Sequence, residues 1–493
     1  MPRLYQLVPM LNAAQVIGND VELSDITLDS RDVREGALFC ATRGSRFDGH
    51  DFVADAISKG ARAVLVAKEL PVPVPQIVVP SVRHAIGRIA SFFFGDPSTH
   101  LDLIGITGTN GKTTTSYLVE SILSRAGRST GLIGTIEAKF GGSNRPSLHT
   151  TPEAPDLHRL LADMLSNQID SVVMEVSSHG IDQHRVDSTK FRVAVFTNLS
   201  PEHLDYHGTI EQYYAAKAQL FSPSQVVEAA IGTDTEWGRR LASQAAVPLV
   251  TFGPDPASDF RVADVEYDSR GTVFTMVTEA KKSRLRVPIY GLHNAFNAAG
   301  AAAVAQLLGI DLDTAIEGIE TCNSVAGRFE HIDLGQGFSV IVDYAHTPDS
   351  IRSLIETARA LSPGKHVILV AGARGRRDRL KRPELGRAAA TADLAILTAD
   401  NPGDELPEDI VAQLLAGTLD VPTKSIRVEL DRVAAIRMAV AEARPGDTVL
   451  IVGRGHEQSL RYGSALIHLD DREEARSAIR EVATLEAPLP GQA

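Results

Sequence analysis

Residues 105–115 read GITGTNGKTTT, a glycine-rich turn that ends in Lys-Thr-Thr. The apolar run 101–106 predicts a buried strand before the turn, and the apolar spacing within 114–123 predicts a helix after it. A strand, a glycine-rich loop and a helix in this order are typical of phosphate sites, because backbone N–H groups at the helix N-terminus face the anion. The stretch therefore predicts an α/β fold with a nucleotide site beyond this strand.

The loop also offers side chains suited to a nucleotide. Backbone N–H groups around Gly108, Asn110 and Gly111 can face the phosphates. Lys112 can reach the β and γ oxygens, and the Thr113 hydroxyl can bind Mg²⁺. The glycine spacing departs from the most common phosphate motif, so an ordinary glycine-rich turn is the alternative. The lysine and threonines favour the phosphate site.

Composition excludes several classes of protein. The chain has 493 residues, which at roughly 150 per domain predicts about three globular domains. A formal net charge of −13 argues against general nucleic-acid binding, which needs a basic surface. No apolar window is long enough to cross a bilayer, and the N-terminus lacks the pattern of an export signal. The only cysteines, Cys40 and Cys322, are far apart in sequence, which fits a reducing compartment, so we expect a cytoplasmic protein. From the charge and the apolar pattern we expect no nucleic-acid or membrane partner.

Hydrophobic patterning predicts three α/β domains. Residues 1–97 mix short strand and helix patterns, which is typical of a small α/β domain. Residues 98–325 alternate continuous apolar strands with helices, which predicts a parallel sheet covered on both faces. Residues 326–493 repeat this alternation and predict a Rossmann-like domain.

Polar clusters follow the central strands at 108–114, 175–179 and 198–207. Ligands of parallel sheets bind beyond the carboxyl ends of the strands, so we expect these clusters to converge. Glu175 ends an apolar run, 171–174, where a carboxylate beside a phosphate cradle is expected to bind Mg²⁺. A solvated or capping glutamate is the alternative.

The loop 197–208 and the helix after it carry further candidates. His203, Asp205 and His207 lie close together in TNLSPEHLDYHG, and His203 or Asp205 is a candidate metal ligand. Loop histidines also cap helices, and composition leaves both readings open. Lys217 lies between alanines in a helical pattern, and its chemistry alone favours a surface lysine.

Longer motifs carry a resemblance to a known family. They are GITGTNGKTTT (105–115), MEVSSHG (174–180), TNLSPEHLDYHG (197–208), AAKAQLF (215–221), GLHNAFNAAGA (291–301), VAGRFE (325–330) and VDYAHTPDS (342–350). In this order they resemble the Mur ligase family, and within it the enzymes that form the UDP-N-acetylmuramyl tripeptide. The resemblance implies an ATP-dependent ligase that adds meso-diaminopimelate or L-lysine to UDP-N-acetylmuramoyl-L-alanyl-D-glutamate during peptidoglycan synthesis. The substrate carboxylate is phosphorylated, the incoming amine attacks the acyl phosphate, and phosphate leaves.

The resemblance also implies roles for individual residues. It makes Lys112, Glu175, His203 and Lys217 catalytic, and it makes Thr113, Glu175, His203 and Lys217 ligands of Mg²⁺. Lys217 matches a lysine that is carbamylated to N6-carboxylysine, which reverses the surface reading. A carbamate is an anion that can hold Mg²⁺, whereas an ammonium would repel it.

Three further sets follow from the resemblance. The residues implied for ATP are Gly108, Thr109, Asn110, Gly111, Lys112, Thr113, Thr114, Asn294, Asn297, Arg328, Asp343 and His346. Those implied for the UDP-linked dipeptide are Ser30, Ser45, Arg46, Phe47, Thr150, Thr151, Ser177, Gln183 and Arg185. Those implied for the added amino acid are Arg377, Asp400, Asn401, Gly453 and Glu457. Ordinary turn, cap and helix-surface roles are the alternatives, although Arg185 suits a carboxylate on chemistry alone.

The sequence departs from the family at residue 403. Relatives that add diaminopimelate carry Asp-Asn-Pro-Arg, whose arginine holds the distal carboxylate, whereas this chain has Gly403. An unpaired buried carboxylate would cost roughly 2–5 kcal/mol. Arg374, Arg376 and Arg454 are candidates to replace the missing arginine, so the sequence leaves the amino acid open.

Two alternatives have other functions. One is a folylpolyglutamate-like or specialised peptide ligase, although the motif DSRDVREGALF within 1–97 resembles a UDP-binding module that folate ligases lack. The other is a regulator without chemistry, which intact Lys112, Glu175, His203 and Lys217 disfavour. We expect a monomer that uses small-molecule substrates and closes its domains around them.

Overall fold

The first sheet precedes the glycine-rich loop. A computed structural model describes residues 1–44, 47–147, 149–323, 325–419, 421 and 425–486. The first strands are β1 (Gln15–Ile17), β2 (Asp25–Thr27), β3 (Ala37–Cys40), β4 (Ala63–Val66) and β5 (Gln76–Val78). They are ordered β1-β5-β4-β3-β2 and are parallel except at β1. The helices of this segment are α1 (Leu4–Leu7), α2 (Val53–Ser58) and α3 (Val82–Phe93).

A second sheet carries the glycine-rich loop. Its strands are β6 (Asp102–Thr107), β7 (Thr130–Ile133), β8 (Glu137–Phe140), β9 (Ser143–Pro146), β10 (Ser171–Glu175), β11 (Phe191–Phe196), β12 (Val226–Gly232), β13 (Leu249–Gly253), β14 (Phe260–Asp268), β15 (Gly271–Val277) and β16 (Lys282–Val287). Their order is β16-β15-β14-β13-β12-β11-β6-β10-β7-β8-β9. The helices are α4 (Lys112–Arg125), α5 (Ala154–Ser166), α6 (Ser178–Asp182), α7 (Leu204–His207), α8 (Ile210–Ala218), α9 (Glu236–Gln244), α10 (Leu292–Leu307) and α11 (Leu312–Glu320).

The prediction that this sheet is parallel is correct for its central strands and wrong for the strands at its two edges. Taken in sheet order, the strands β14-β13-β12-β11-β6-β10-β7 are parallel, as the continuous apolar runs in β6, β10 and β11 predict. Strands β8, β9, β15 and β16 are antiparallel. In β15 buried and half-buried residues alternate, which suits a sheet edge covered on one face.

Helices cover both faces of the second sheet. Helices α4, α10 and α11 pack on one face, and α5, α8 and α9 pack on the other. Each large apolar side chain buried in these layers contributes about 1.5–3 kcal/mol. Strands β6, β10 and β11 are neighbours, so the loops that follow them meet at one edge of the sheet.

A third sheet follows. Its strands are β17 (Glu330–His331), β18 (Ser339–Asp343), β19 (Val367–Ala373), β20 (Leu394–Ala399), β21 (Ile426–Val428) and β22 (Thr448–Val452), followed by a hairpin of β23 (Ser459–Tyr462) and β24 (Ala465–His468). Its order is β17-β18-β22-β19-β20-β21, parallel except at β17. The helices are α12 (Pro348–Leu361), α13 (Arg382–Ala389), α14 (Pro407–Ala416), α15 (Arg432–Glu442) and α16 (Asp471–Glu486). Short 3-10 helices span Val8–Met10, Gly49–Phe52, Pro97–His100, Gln219–Phe221 and Arg379–Lys381.

The α/β class predicted from the sequence is confirmed. One apolar cluster runs from α4 and α10 into β18 and β19, so the second and third sheets share buried contacts. An ion pair between Arg83 and Glu153 joins the first and second sheets. Across the described ranges, every helix is too short or too polar to span a bilayer.

Candidate active site

The glycine-rich loop joins β6 to α4. Gly108 has φ of +152° and Gly111 has φ of +87°, which L side chains rarely adopt. A Cβ atom on Gly108 would lie 1.9 Å from Thr197 Oγ1, and one on Gly111 would lie 2.4 Å from Asn297 Oδ1. Both positions therefore require glycine, and the loop backbone lies directly against its neighbours. Its helix begins at Lys112, as a phosphate cradle requires.

Two lysine side chains meet at this loop. Lys112 Nζ donates to the carbonyls of Gly108 and Thr109, each at 2.8 Å, and Lys217 Nζ donates to the Gly108 carbonyl at 2.9 Å. Lys217 is 1% exposed, so the reading of a surface lysine is wrong. Burial lowers the pKa of Lys217 well below its usual value, and the charge of Lys112 lowers it further. This environment favours the neutral, nucleophilic amine.

Glu175 lies beside the first turn of α4. Thr113 Oγ1 is 3.1 Å from each carboxylate oxygen of Glu175. Thr135 donates to the same carboxylate through its backbone N at 2.8 Å and its hydroxyl at 3.0 Å. Arg328 Nη2 donates to Thr113 Oγ1 at 3.0 Å, which brings the third sheet to the loop. Glu175 is therefore a buried and oriented carboxylate.

A buried glutamate links His203 to the third sheet. Glu202 accepts a hydrogen bond from His346 Nε2 at 2.8 Å, and Lys381 Nζ lies 3.7 Å away. His203 Nε2 lies 3.8 Å from Glu202, and its ring centroid lies 4.7 Å from that of His179. Burial lowers the pKa of His203 to about 3, so the imidazole is neutral and can bind a metal.

The donor set fits Mg²⁺ held partly by a nucleotide. Within the described residues, no three His, Cys, Asp or Glu side chains are grouped as a metal cage. Mg²⁺ commonly takes one or two protein oxygens and completes its shell with phosphates and water. The Thr113 hydroxyl and the Glu175 carboxylate, adjacent at the phosphate loop, provide such oxygens. His203 and a carbamylated Lys217 would supply further donors.

Two buried amides lie behind the loop on α10. Asn297 Nδ2 donates to Asn294 Oδ1 at 2.9 Å, and Asn294 Nδ2 donates to the Tyr290 carbonyl at 2.8 Å. Both asparagines are almost fully buried, so the reading of helix-surface amides is wrong. Asn297 abuts Gly111, which places this pair at the base of the loop.

Asp343 organises the approach of the third sheet. Its carboxylate accepts from the backbone N of Phe329 and of Ala345, each at 2.6 Å. The guanidinium of Arg328 lies 4.6 Å from the ring centroid of Tyr344. These contacts hold the Arg328 side chain toward Thr113.

The residues implied for the dipeptide divide into two groups. Thr150 Oγ1 lies 3.0 Å from Thr135 Oγ1, and Thr151 Oγ1 donates to the Glu175 carbonyl at 3.0 Å. The backbone N of Ser177 donates to Thr151 Oγ1 at 2.9 Å. This group therefore lies next to the phosphate loop.

Arg185 extends the group. Its Nη1 donates to the Thr151 carbonyl at 2.9 Å, and its Nη2 donates to Gln183 Oε1 at 2.8 Å. Its Nε lies 3.2 Å from Glu153 Oε1. The second group is in the first sheet, where Ser30 follows β2 and Phe47 follows β3. The predicted residues Ser45 and Arg46 lie outside the described residues.

The predicted amino-acid residues lie at the carboxyl ends of β19, β20 and β22. Arg374 Nη2 forms an ion pair with Glu457 Oε1, and Asn401 Nδ2 donates to Glu457 Oε2 at 3.2 Å. Asp400 Oδ2 lies 3.9 Å from Arg374 Nε. A Cβ atom on Gly453 would lie 3.0 Å from Asp400 Oδ2, so glycine leaves room for this carboxylate.

The other arginines near this cluster have different neighbours. Arg376 Nη2 pairs with Asp404 at 2.9 Å near the surface. Arg454 is fully buried, donates to the Leu469 carbonyl at 2.8 Å and is not available to a ligand. Burial is the largest cause that lowers the pKa of His179 to about 4, and the charges of His207 and Arg377 lower it further. Arg377 therefore lies near a histidine of the second sheet. Of the arginines proposed to replace the missing side chain at residue 403, Arg374 is the one paired with Glu457.

Sequence reasoning missed three residues of the site. Glu202 lies inside the quoted motif TNLSPEHLDYHG, where its position beside His203 was a usable signal. Thr135 and Lys381 lie outside the quoted motifs, and only folding brings them to Glu175 and Glu202.

Comparisons with known proteins agree with this architecture. The Mur ligase middle domain matches residues 106–305, the Mur ligase, glutamate ligase domain matches 327–455, and the Mur ligase family, catalytic domain matches 22–94. UDP-N-acetylmuramoyl-L-alanyl-D-glutamate--2,6-diaminopimelate ligase of Streptomyces avermitilis is 43% identical over 475 residues, covering 94% of this chain and 93% of the relative. The ligase of the same name from Geobacillus thermodenitrificans is 39% identical, covering 94% and 96%.

Solved structures show the same fold. A 2,6-diaminopimelate ligase structure of the same name superposes with a TM-score of 0.67 at 30% identity, covering 98% of this chain and 99% of that chain. Folylpolyglutamate synthase of Mycobacterium tuberculosis superposes with a TM-score of 0.62 at 20% identity, but covers 75% of this chain. The chain is a ligase and belongs to the Mur ligase family.

Proposed function

We propose that this chain uses ATP to join an amino acid to UDP-N-acetylmuramoyl-L-alanyl-D-glutamate, through an acyl phosphate, in peptidoglycan synthesis. The observation that carries the proposal is that Glu175 links the phosphate loop to the Thr151–Arg185 group. Thr113 Oγ1 lies 3.1 Å from the Glu175 carboxylate oxygens, and Thr151 Oγ1 donates to the Glu175 carbonyl at 3.0 Å. A carboxylate held by Arg185 and a γ-phosphate held by Lys112 would therefore belong to one site.

The proposed chemistry has two steps. The substrate carboxylate attacks the γ-phosphorus of ATP, the bond to the β-phosphate oxygen breaks, and ADP leaves. The amine then attacks the acyl carbon, loses a proton and displaces inorganic phosphate to form the amide. Lys112 neutralises charge on the transferring group, and Glu175 orients the Thr113 hydroxyl. Bound Mg²⁺ supplies further charge neutralisation, with Thr113, Glu175, His203 and Lys217 as the proposed ligands.

Lys217 is proposed to act as a carbamate. Its neutral amine attacks CO₂, forming a C–N bond and releasing one proton, which turns the side chain into an anion. Burial supports this proposal because it favours the neutral amine that the reaction requires. The adjacent Lys112 ammonium would then stabilise the carbamate.

The ligand sets are proposed to come from three domains. Residues 1–97 would bind the UDP portion, 98–325 would bind ATP and the dipeptide, and 326–493 would bind the amino acid and cover ATP. The proposed sets all come from one chain, which supports a monomer. ATP and a UDP-linked precursor as substrates support action in the cytoplasm. The names of the relatives support diaminopimelate as the added amino acid.

Phosphate release tests the proposal. The purified chain is supplied with ATP, Mg²⁺ and the UDP-linked dipeptide, with meso-diaminopimelate, L-lysine or L-ornithine in separate reactions. We expect release that requires both the dipeptide and an amino acid. No release with any of the three would contradict the proposal. Release with a folate and L-glutamate instead would support a folylpolyglutamate-like ligase.

A further inference from the structure

The Arg374–Glu457 ion pair lies beside buried polar atoms that have no hydrogen-bond partner among the described residues. Arg374 Nε and Asp400 Oδ1 are both buried and have no hydrogen-bond partner among the described residues. Asp400 is 1% exposed, whereas the Arg374 side chain is 23% exposed and can be reached from outside. Buried polar atoms are normally paired because leaving them unpaired costs free energy. The cluster therefore has the properties of a ligand site.

The backbone around the cluster leaves space beside it. The backbone N of Gly375 donates to the Asn401 carbonyl at 2.9 Å, so the loop that carries Arg374 lies against the segment that ends at Gly403. A Cβ atom on Gly403 would have no neighbour within 4 Å. Open space therefore lies beside Gly403, which has no side chain.

The ion pair is complementary to an amino-acid zwitterion. We infer that Arg374 binds the distal carboxylate of the added amino acid while Glu457 binds its distal ammonium, which makes Arg374 a specificity-determining residue. This inference rests on the proposed function. Inserting a zwitterion between the two side chains leaves each charge with an opposite partner, and a guanidinium can bind a carboxylate through two hydrogen bonds. Lysine brings only an ammonium, which must compete with Arg374 for Glu457.

The ratio of kcat/KM for meso-diaminopimelate to that for L-lysine tests the inference. We expect the wild-type chain to favour diaminopimelate, and Arg374→Gln to lower that ratio about 30-fold or more, mainly through KM for diaminopimelate. Arg376→Gln is the matched control, because Arg376 lies on the same loop but pairs with Asp404. Adding Gly403→Arg to Arg374→Gln should restore part of the ratio, since the new side chain would enter the open space.

Other results would overturn the inference. One such result is a wild-type chain that favours lysine. Another is an Arg374→Gln variant that loses activity equally with both amino acids. Either would show that Arg374 does not bind the distal carboxylate. Thermal unfolding of each variant identifies a loss caused by misfolding, and the Gly403→Arg restoration then decides the case. Absence of phosphate release by the wild-type chain with every amino acid would instead contradict the proposed function.

Discussion

Replacing Lys217 by alanine separates catalysis from folding. The side chain is buried, donates to the Gly108 carbonyl at 2.9 Å and has its Nζ 4.6 Å from the ring centroid of Tyr213. Its loss removes one hydrogen bond, about 1 kcal/mol, and the burial of three methylene groups, about 2.4 kcal/mol. Removing an amine buried beside Lys112 offsets part of this cost. We therefore expect the free energy of unfolding to fall by about 2 kcal/mol, which leaves a folded protein.

The expected catalytic loss is much larger. If Lys217 carries a carbamate, the variant lacks an anion fixed near the transferring phosphoryl group. Losing one such preorganised group typically lowers kcat by about 10²–10³-fold. The KM values for the dipeptide and amino acid should change little, because these substrates are proposed to bind elsewhere.

Steady-state phosphate release and thermal unfolding of the same preparations measure both effects. Adding formate or acetate to Lys217→Ala should restore part of kcat, because a small carboxylate can occupy the vacated space. Lys190→Ala, which changes an exposed lysine, is the control. A Lys217→Ala variant with kcat within about threefold of wild type would refute the assigned role, since the predicted loss is at least about 10²-fold.

Two further predictions concern stability. Gly108→Ala would place a Cβ atom 1.9 Å from Thr197 Oγ1, and we expect about 2–4 kcal/mol lower stability and weaker ATP binding, measured by urea unfolding and nucleotide titration. Gly127→Ala, with φ of +78° but no neighbour within 4 Å of the new atom, should cost only about 1–2 kcal/mol; equal losses would refute the steric explanation. Glu405→Gln should cost about 3–5 kcal/mol at pH 7, because it leaves the buried Arg382 without its carboxylate. Hydrogen bonding from Arg382 lowers the pKa of Glu405 from 4.5 to about 2, so the contribution is complete above about pH 4.5 and is lost as pH falls through 2. Urea unfolding should therefore show the two proteins converging over that window, and a constant difference would contradict this assignment.

The sequence predicted those parts of the molecule that depend on local pattern. The apolar runs 101–106 and 171–174 lie in neighbouring parallel strands, as expected of continuous apolar segments that need cover on both faces. The burial of Lys217 was not predictable from its alanine neighbours, since a helical pattern does not show which face meets the phosphate loop. Only the resemblance suggested its importance.

Contacts between segments that are distant along the chain could not be predicted from the sequence. Glu202 and His346 are 144 positions apart, and no periodicity relates them. The antiparallel edge strands were missed because alternating or polar segments give a weaker signal than continuous apolar runs. The pairing of Arg374 with Glu457 also needed the fold, because the sequence offered Arg376 and Arg454 as equal candidates.

The hydrogen bond between Glu202 and His346 connects the nucleotide site to the third sheet, so binding at one can change the affinity at the other. The segment that carries Glu202 also holds the phosphate loop, since Asn198 Oδ1 accepts from the backbone N of Asn110 at 3.0 Å. A nucleotide that changes the affinity for a ligand on the third sheet through the His346 contact has its own affinity changed by the same factor when that ligand binds. If both ligands favour this contact, each tightens the binding of the other without touching it. In that case the affinity for ATP measured alone is a lower limit for the affinity in the full complex.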